Sequence, residues 1–190
     1  MEDKIMERIS KSIEVKQQIL SDRRLISAIS KAAQEIIDTI RNDNKVLVCG
    51  NGGSAADSQH FVAELVGKFY HVRKALPAIA LTVNTSILTS VANDDSYNAV
   101  FSRQVEAIGQ SGDVFIGIST SGNSANVIEA ITAAKDKGIY TIGLTGATGG
   151  KMRNIVDLLI NVPSSDTPRI QEAHILILHI IAELIEEAMK

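Results

Sequence analysis

The chain contains four histidines, and one of them, His60, is followed four residues later by Glu64. On a helix that spacing is about one turn, so imidazole and carboxylate share a face. Such a pair can offer a nitrogen and an oxygen to one metal ion. It can equally be a local contact worth about 0.2–0.5 kcal/mol. The zinc-protease signature H-E-x-x-H is excluded, because its two remaining positions hold Phe61 and Glu64. Near the C-terminus, Arg169, Gln171, Glu172, His174 and His179 interrupt an apolar run. Gln171 and His179 are offset by about 80° and roughly 12 Å along a helix, so one compact site reaches both only if the side chains lean together. Glu172 and His179 share a face more closely. His174 is expected to face solvent or another subunit, and His71 to be structural or exposed. His179 is either a core histidine with satisfied nitrogens or a functional one, since burying its ring without partners costs free energy.

Two loops carry further chemistry. CGNGGSAAD, residues 49–57, follows a short β-branched run and opens an Ala-rich helix. Gly50, Gly52 and Ala55 fit the dinucleotide pattern G-x-G-x-x-A, but the ribose-binding acid expected about 20 residues on is missing from PAIALTVN. No GK[ST] closes the loop, so it is not a Walker A turn. The second loop, ISTSGNSAN at 118–126, sets Ser119, Thr120 and Ser121 before Gly122, with Ser124 at the next N-cap. Free N–H groups at a helix start together with hydroxyls suit a phosphate dianion. The plain alternative is a polar loop capped by Ser124.

The elements that must position these groups are legible in outline. Residues 3–42 read as two helices joined at SDRR, with Ser21 or Asp22 as the cap. Strands are expected at 45–49, 77–82, 113–118, 140–144 and 156–162. Helices are expected at 55–67, 86–93, 99–109, 125–137 and 168–189, with TGATGGK a loop. Continuous apolar strands alternating with helices indicate an α/β fold, a three-layer, doubly wound, five-stranded parallel sheet preceded by a helical pair. Such sheets bind ligands beyond the carboxyl ends of their strands.

The chain has 190 residues, of which 45% are hydrophobic and 22% charged, with a net charge of −3. One α/β domain is expected over 1–190, residues 1–42 serving assembly and 43–190 forming the core. The charge balance argues against non-specific nucleic-acid binding. The most apolar stretch is too short for a membrane span. A single cysteine, Cys49, excludes an internal disulfide and points to the cytoplasm, as does an N-terminus unlike a signal peptide.

Taken in order, GNGGSAADSQHFVAEL, ISTSGNSANV, TGATGGKM and TPRIQEAHILILHII resemble bacterial phosphoheptose isomerases, which are sedoheptulose 7-phosphate isomerases of the sugar isomerase (SIS) domain family. The resemblance covers nearly the whole chain. It implies a flavodoxin-like sheet, a cytoplasmic homotetramer with shared active sites, and aldose–ketose isomerisation feeding ADP-heptose or GDP-heptose synthesis. It also implies residue roles. Asn51, Gly52, Gly53, Asn93, Asp94 and Gln171 would contact the sugar phosphate, as would Glu64. Ser119, Thr120, Ser121 and Ser124 would hold its phosphate. His60, Glu64, Gln171 and His179 would bind one Zn²⁺ per subunit, and Glu64 and His179 would be the acid–base pair. SSDTPRIQE is one residue shorter than in the enterobacterial enzyme and places Asp166 differently, which leaves open the acidic residue that supports the site there. Some relatives keep the fold and bind a replication initiator instead; the retained His60, Glu64, Gln171 and His179 favour an enzyme.

Overall fold

The computed structural model describes all 190 residues. Two helices, α1 (Glu2–Ser21) and α2 (Arg23–Arg41), precede the sheet. Asp22 separates them: its backbone is extended, and its carboxylate accepts N–H bonds from Arg24 (2.9 Å) and Leu25 (3.2 Å). That is an N-cap satisfying two of the free donors of α2. α2 buries Leu25, Ile29, Ala32, Ile36 and Ile40 along one stripe, whereas α1 buries only Val15 and Ile19.

The chain then runs through β1 (Val46–Gly50), α3 (Gly53–Val66), β2 (Ala78–Ala80), α4 (Thr85–Asp94), α5 (Ser102–Ile108), β3 (Val114–Ile118), α6 (Ala125–Asp136), β4 (Tyr140–Thr145), β5 (Leu158–Asn161) and α7 (Thr167–Ala188). All strands pair in parallel in the order β2-β1-β3-β4-β5. This is the flavodoxin-like order, whose reversal point lies between β1 and β3. Alternate strand residues point to opposite faces. Val46 and Val48 of β1 with Val114, Ile116 and Ile118 of β3 join the core under α2, α3 and α7. Leu47, Cys49 and Phe115 join the core under α5 and α6. The three layers expected from the sequence therefore arise from one β-period pattern buried on both sides.

Some boundaries differ from expectation. β2 pairs only at Ala78–Ala80, because it is the edge strand and meets β1 alone. The helix expected at 99–109 is split into a 3₁₀ turn, Tyr97–Ala99, and α5. Ser96 starts that turn by accepting the Asn98 N–H, and the buried Val100 and Phe101 redirect the chain into the core. TGATGGK runs into a further 3₁₀ turn, Gly150–Asn154. No helix is long and apolar enough to cross a membrane.

Candidate active site

The crevice at the reversal point is built from the loops that leave β1 and β3. After β1, Asn51 and Asn126 exchange both amide bonds, each 2.9 Å, and the Tyr97 hydroxyl donates to Asn51 Oδ1 at 3.2 Å. This ties the first glycine loop to the start of α6. Gly53 opens α3, and a Cβ there would collide with the Gln171 side-chain amide. The Gln171 amide thus lies directly against the N-terminus of α3.

Seven residues beyond Gly53 stands His60, and eight beyond Gln171 stands His179. Both helices follow parallel strands and run side by side in the same direction, so the second pair meets as the first does. His60 Nε2 lies 3.0 Å from Glu64 Oε1 and 3.2 Å from His179 Nε2. The ligand atoms of the three residues all fall within 4.8 Å of one another. Glu64 and His179 are half-buried and His60 is exposed. A ring nitrogen carries one hydrogen or one lone pair. His60 Nε2 can therefore satisfy only one of the two groups that face it, whichever tautomer it adopts. A cation at the point of convergence would exchange that competition for coordinate bonds, and two imidazoles with a carboxylate suit such an ion. The residues present fit a metal. Gln171 lies against Gly53 at the start of α3.

The serine loop takes shape after β3. Ser119 is buried, and its hydroxyl lies 2.9 Å from Ser124 Oγ and 3.4 Å from Ser121 Oγ. Ser124 occupies the N-cap position of α6 but makes no capping bond with its side chain; its hydroxyl is turned into the loop. The first-turn N–H groups of α6 receive no side-chain cap from Ser124, as an anion site requires. Gly122 has φ +67°, and a Cβ there would run into the Gly149 carbonyl, so the loop is stacked directly on the glycine turn after β4. Thr120, Ser121, Asn123 and Thr148 line a cleft of about 280 Å³ beside it.

Other residues singled out from the sequence lie differently. Asn93 and Asp94 are exposed at the end of α4 and bond to each other at 2.7 Å. Asp166 is exposed at the N-cap position of α7 without a capping bond. His71 is exposed, as expected. Glu172 pairs with Arg169 instead of joining His179. His174 corrects the expectation of an outward-facing ring, because it is fully buried. It shares the sheet-facing stripe of α7 with Ile170, Ile177 and Ile181, and its Nε2–H donates to the Thr145 carbonyl at 3.1 Å. Burial drives its pKa down to about 4, against the bond to Thr145, and Nδ1 has no partner. The sequence reasoning missed Asp57, one turn before His60. Burial raises its carboxyl to about 6, partly opposed by His60, and one oxygen is buried without a partner. Its signal was an acid on the His60 face of α3. Asn126, Tyr97 and Phe69, whose ring centroid is 5.6 Å from that of His179, carried no comparable signal.

Comparison with known proteins shows the family. The SIS domain family matches residues 9–146. Phosphoheptose isomerases of Aneurinibacillus thermoaerophilus and Clostridium acetobutylicum are each 54% identical over 189 residues, spanning 100% of this chain and 96% of theirs. The solved structure of the phosphoheptose isomerase from Neisseria gonorrhoeae superposes with a TM-score of 0.92 at 45% identity, covering 98% of both chains. That of the Francisella tularensis enzyme gives 0.94 at 38% identity over 97% of both.

Proposed function

Because the chain belongs to the SIS domain family, among its phosphoheptose isomerases, we propose that it converts sedoheptulose 7-phosphate to D-glycero-D-manno-heptose 7-phosphate. The observation that supports this reading most is the meeting of Glu64 and His179 from two helices, in a chain that also carries a hydroxyl-lined loop at the carboxyl end of β3. A sugar phosphate offers groups for both. Its phosphate is held by Ser119, Thr120, Ser121 and Ser124 and the start of α6. Asn51, Gly52, Gly53, Asn93, Asp94 and Gln171 surround the chain of hydroxyls.

Glu64 takes the proton from C1 of the ketose, and the C2 oxygen gains a proton, giving a cis-enediol. Proton return to C2 and loss of the O1 proton complete the aldose. His179 moves the proton between the two oxygens. Holding both groups against one end of an anchored substrate is what makes the transfer fast. His60, Glu64, Gln171 and His179 would hold one Zn²⁺ per subunit. When bound, the ion supplies Lewis-acid stabilisation of negative charge on the sugar oxygens.

The same reading makes the chain one subunit of a cytoplasmic homotetramer with shared sites. Association of subunits is supported by α1, which leaves Ile5, Met6, Ile9 and Ile13 about half exposed along one stripe. An apolar stripe of this length on an isolated subunit marks a contact surface.

The test is an isomerase assay with sedoheptulose 7-phosphate beside shorter sugar phosphates, on protein analysed for bound metal. Turnover confined to the heptose phosphate, with about one zinc per subunit, is expected. Binding of the sugar phosphate without turnover would overturn the enzymatic reading.

A further inference from the structure

Where α3 and α7 leave the site, a buried ion pair joins them. Glu186 of α7 is 1% exposed, and the Arg73 side chain is 5% exposed. Glu186 lies seven residues beyond His179, which puts it on the same helix face about 10 Å further along. One of its oxygens accepts the Phe69 N–H at 2.9 Å; the other accepts those of Tyr70 and His71 at 2.8 and 3.0 Å. Three successive N–H groups on one carboxylate fix the path of the loop after α3, and that loop sets the Phe69 ring beside His179.

Arg73 Nε lies 3.4 Å from the same carboxylate, a contact of charges without a hydrogen bond. Its two terminal nitrogens donate to the carbonyls of Leu65 (2.8 Å) and Glu64 (2.7 Å). The last carbonyls of a helix have no partner within it. Here a guanidinium supplies one, and a carbonyl it holds belongs to Glu64 itself. Burial pushes the Glu186 carboxyl up, but the three N–H bonds and Arg73 outweigh it and hold the group below the usual carboxylate range. A buried ion pair of this kind is weak support for stability, since apolar replacements are often neutral. What it supplies is geometry.

We infer that Arg73 and Glu186 are positioning residues for the isomerisation, locking the end of α3 that carries Glu64 to the face of α7 that carries His179. The inference rests on the acid–base reading of those two residues. A misplacement of about 1 Å between reacting groups can cost on the order of 100-fold in rate.

The experiment compares Glu186→Gln and Arg73→Lys with the wild type in three measurements: kcat and KM for sedoheptulose 7-phosphate, thermal unfolding, and NMR of ¹⁵N-labelled histidine rings. The amide of Gln presents a donor where the carboxylate accepted. Lys keeps the charge but lacks the planar fork that holds the Leu65 and Glu64 carbonyls while its charge faces the carboxylate. The expected result is a fall in kcat of at least about tenfold, with KM within about twofold because the serine loop lies on β3 and α6. The His179 and His60 ring signals shift or broaden while the variants stay folded. Unchanged kcat and unchanged ring signals in a folded variant overturn the inference, as does a rate loss that merely follows the unfolded fraction. If Glu186→Gln does not fold, Arg73→Lys carries the same comparison. A wild type that does not turn over the heptose phosphate would sink the isomerase reading alone; the ring signals would still decide whether the ion pair positions the histidines.

Discussion

Acidifying the protein should expose the buried ring of His174. The native ring has a pKa of about 4 in place of 6.5, chiefly through burial. Between those values the unfolded chain takes up a proton that the native chain refuses. Stability therefore falls as pH drops through that window and levels off below it. A depression of about 2.5 units, at about 1.36 kcal/mol per unit, corresponds to about 3 kcal/mol. Asp57 acts in the opposite sense. Its native pKa of about 6 lies above the ordinary 3.8, so it gains stability as pH falls across much of the same range. The wild-type curve alone thus hides the histidine. The informative comparison is with His174→Gln, whose amide can keep a bond to the Thr145 carbonyl and does not titrate. Urea unfolding at pH 7, 6, 5 and 4 is the assay, in metal-free protein and at one concentration because assembly changes apparent stability. The difference between the two proteins should move by about 3 kcal/mol in favour of the variant from pH 7 to pH 4. A difference that stays constant with pH would refute the reasoning.

Other outcomes turn on single contacts. Gly122→Ala places a Cβ at φ +67° against the Gly149 carbonyl; it should cost more than the roughly 1–2 kcal/mol of a left-handed alanine, read by urea unfolding, and should raise the inhibition constant of inorganic phosphate. Asp22→Ala removes two N-cap bonds from α2 and should cost about 1 kcal/mol, seen as a lower unfolding midpoint with kcat unchanged. Ile9→Glu puts a charge into the exposed stripe of α1, and light scattering should then report a smaller particle than the wild type.

The sequence was most legible where one periodicity decided the outcome. The apolar runs at β1, β3 and β4 announced strands buried on both faces, and His60 with Glu64 announced a shared helical face. Pattern alone could not choose between core and site for His179, and only the resemblance placed it beside His60. His174, expected to face solvent or another subunit, is buried because it falls on the Ile170–Ile177–Ile181 stripe of α7. Arg73 and Glu186 left no trace at all. They are 113 residues apart and meet only because α3 and α7 lie together, a fact of topology that local spacing does not contain. The short β2 has the same origin, since pairing length at a sheet edge depends on a single neighbour.

The most direct test of the central claim is the turnover of sedoheptulose 7-phosphate by Glu64→Gln beside the wild type. The variant keeps the shape of the side chain and loses its basicity. A positioned acid–base group contributes about 10²–10⁴-fold, so kcat should fall by that order while the heptose phosphate still binds through the serine loop. A Glu64→Gln protein that isomerises at the wild-type rate would contradict the account.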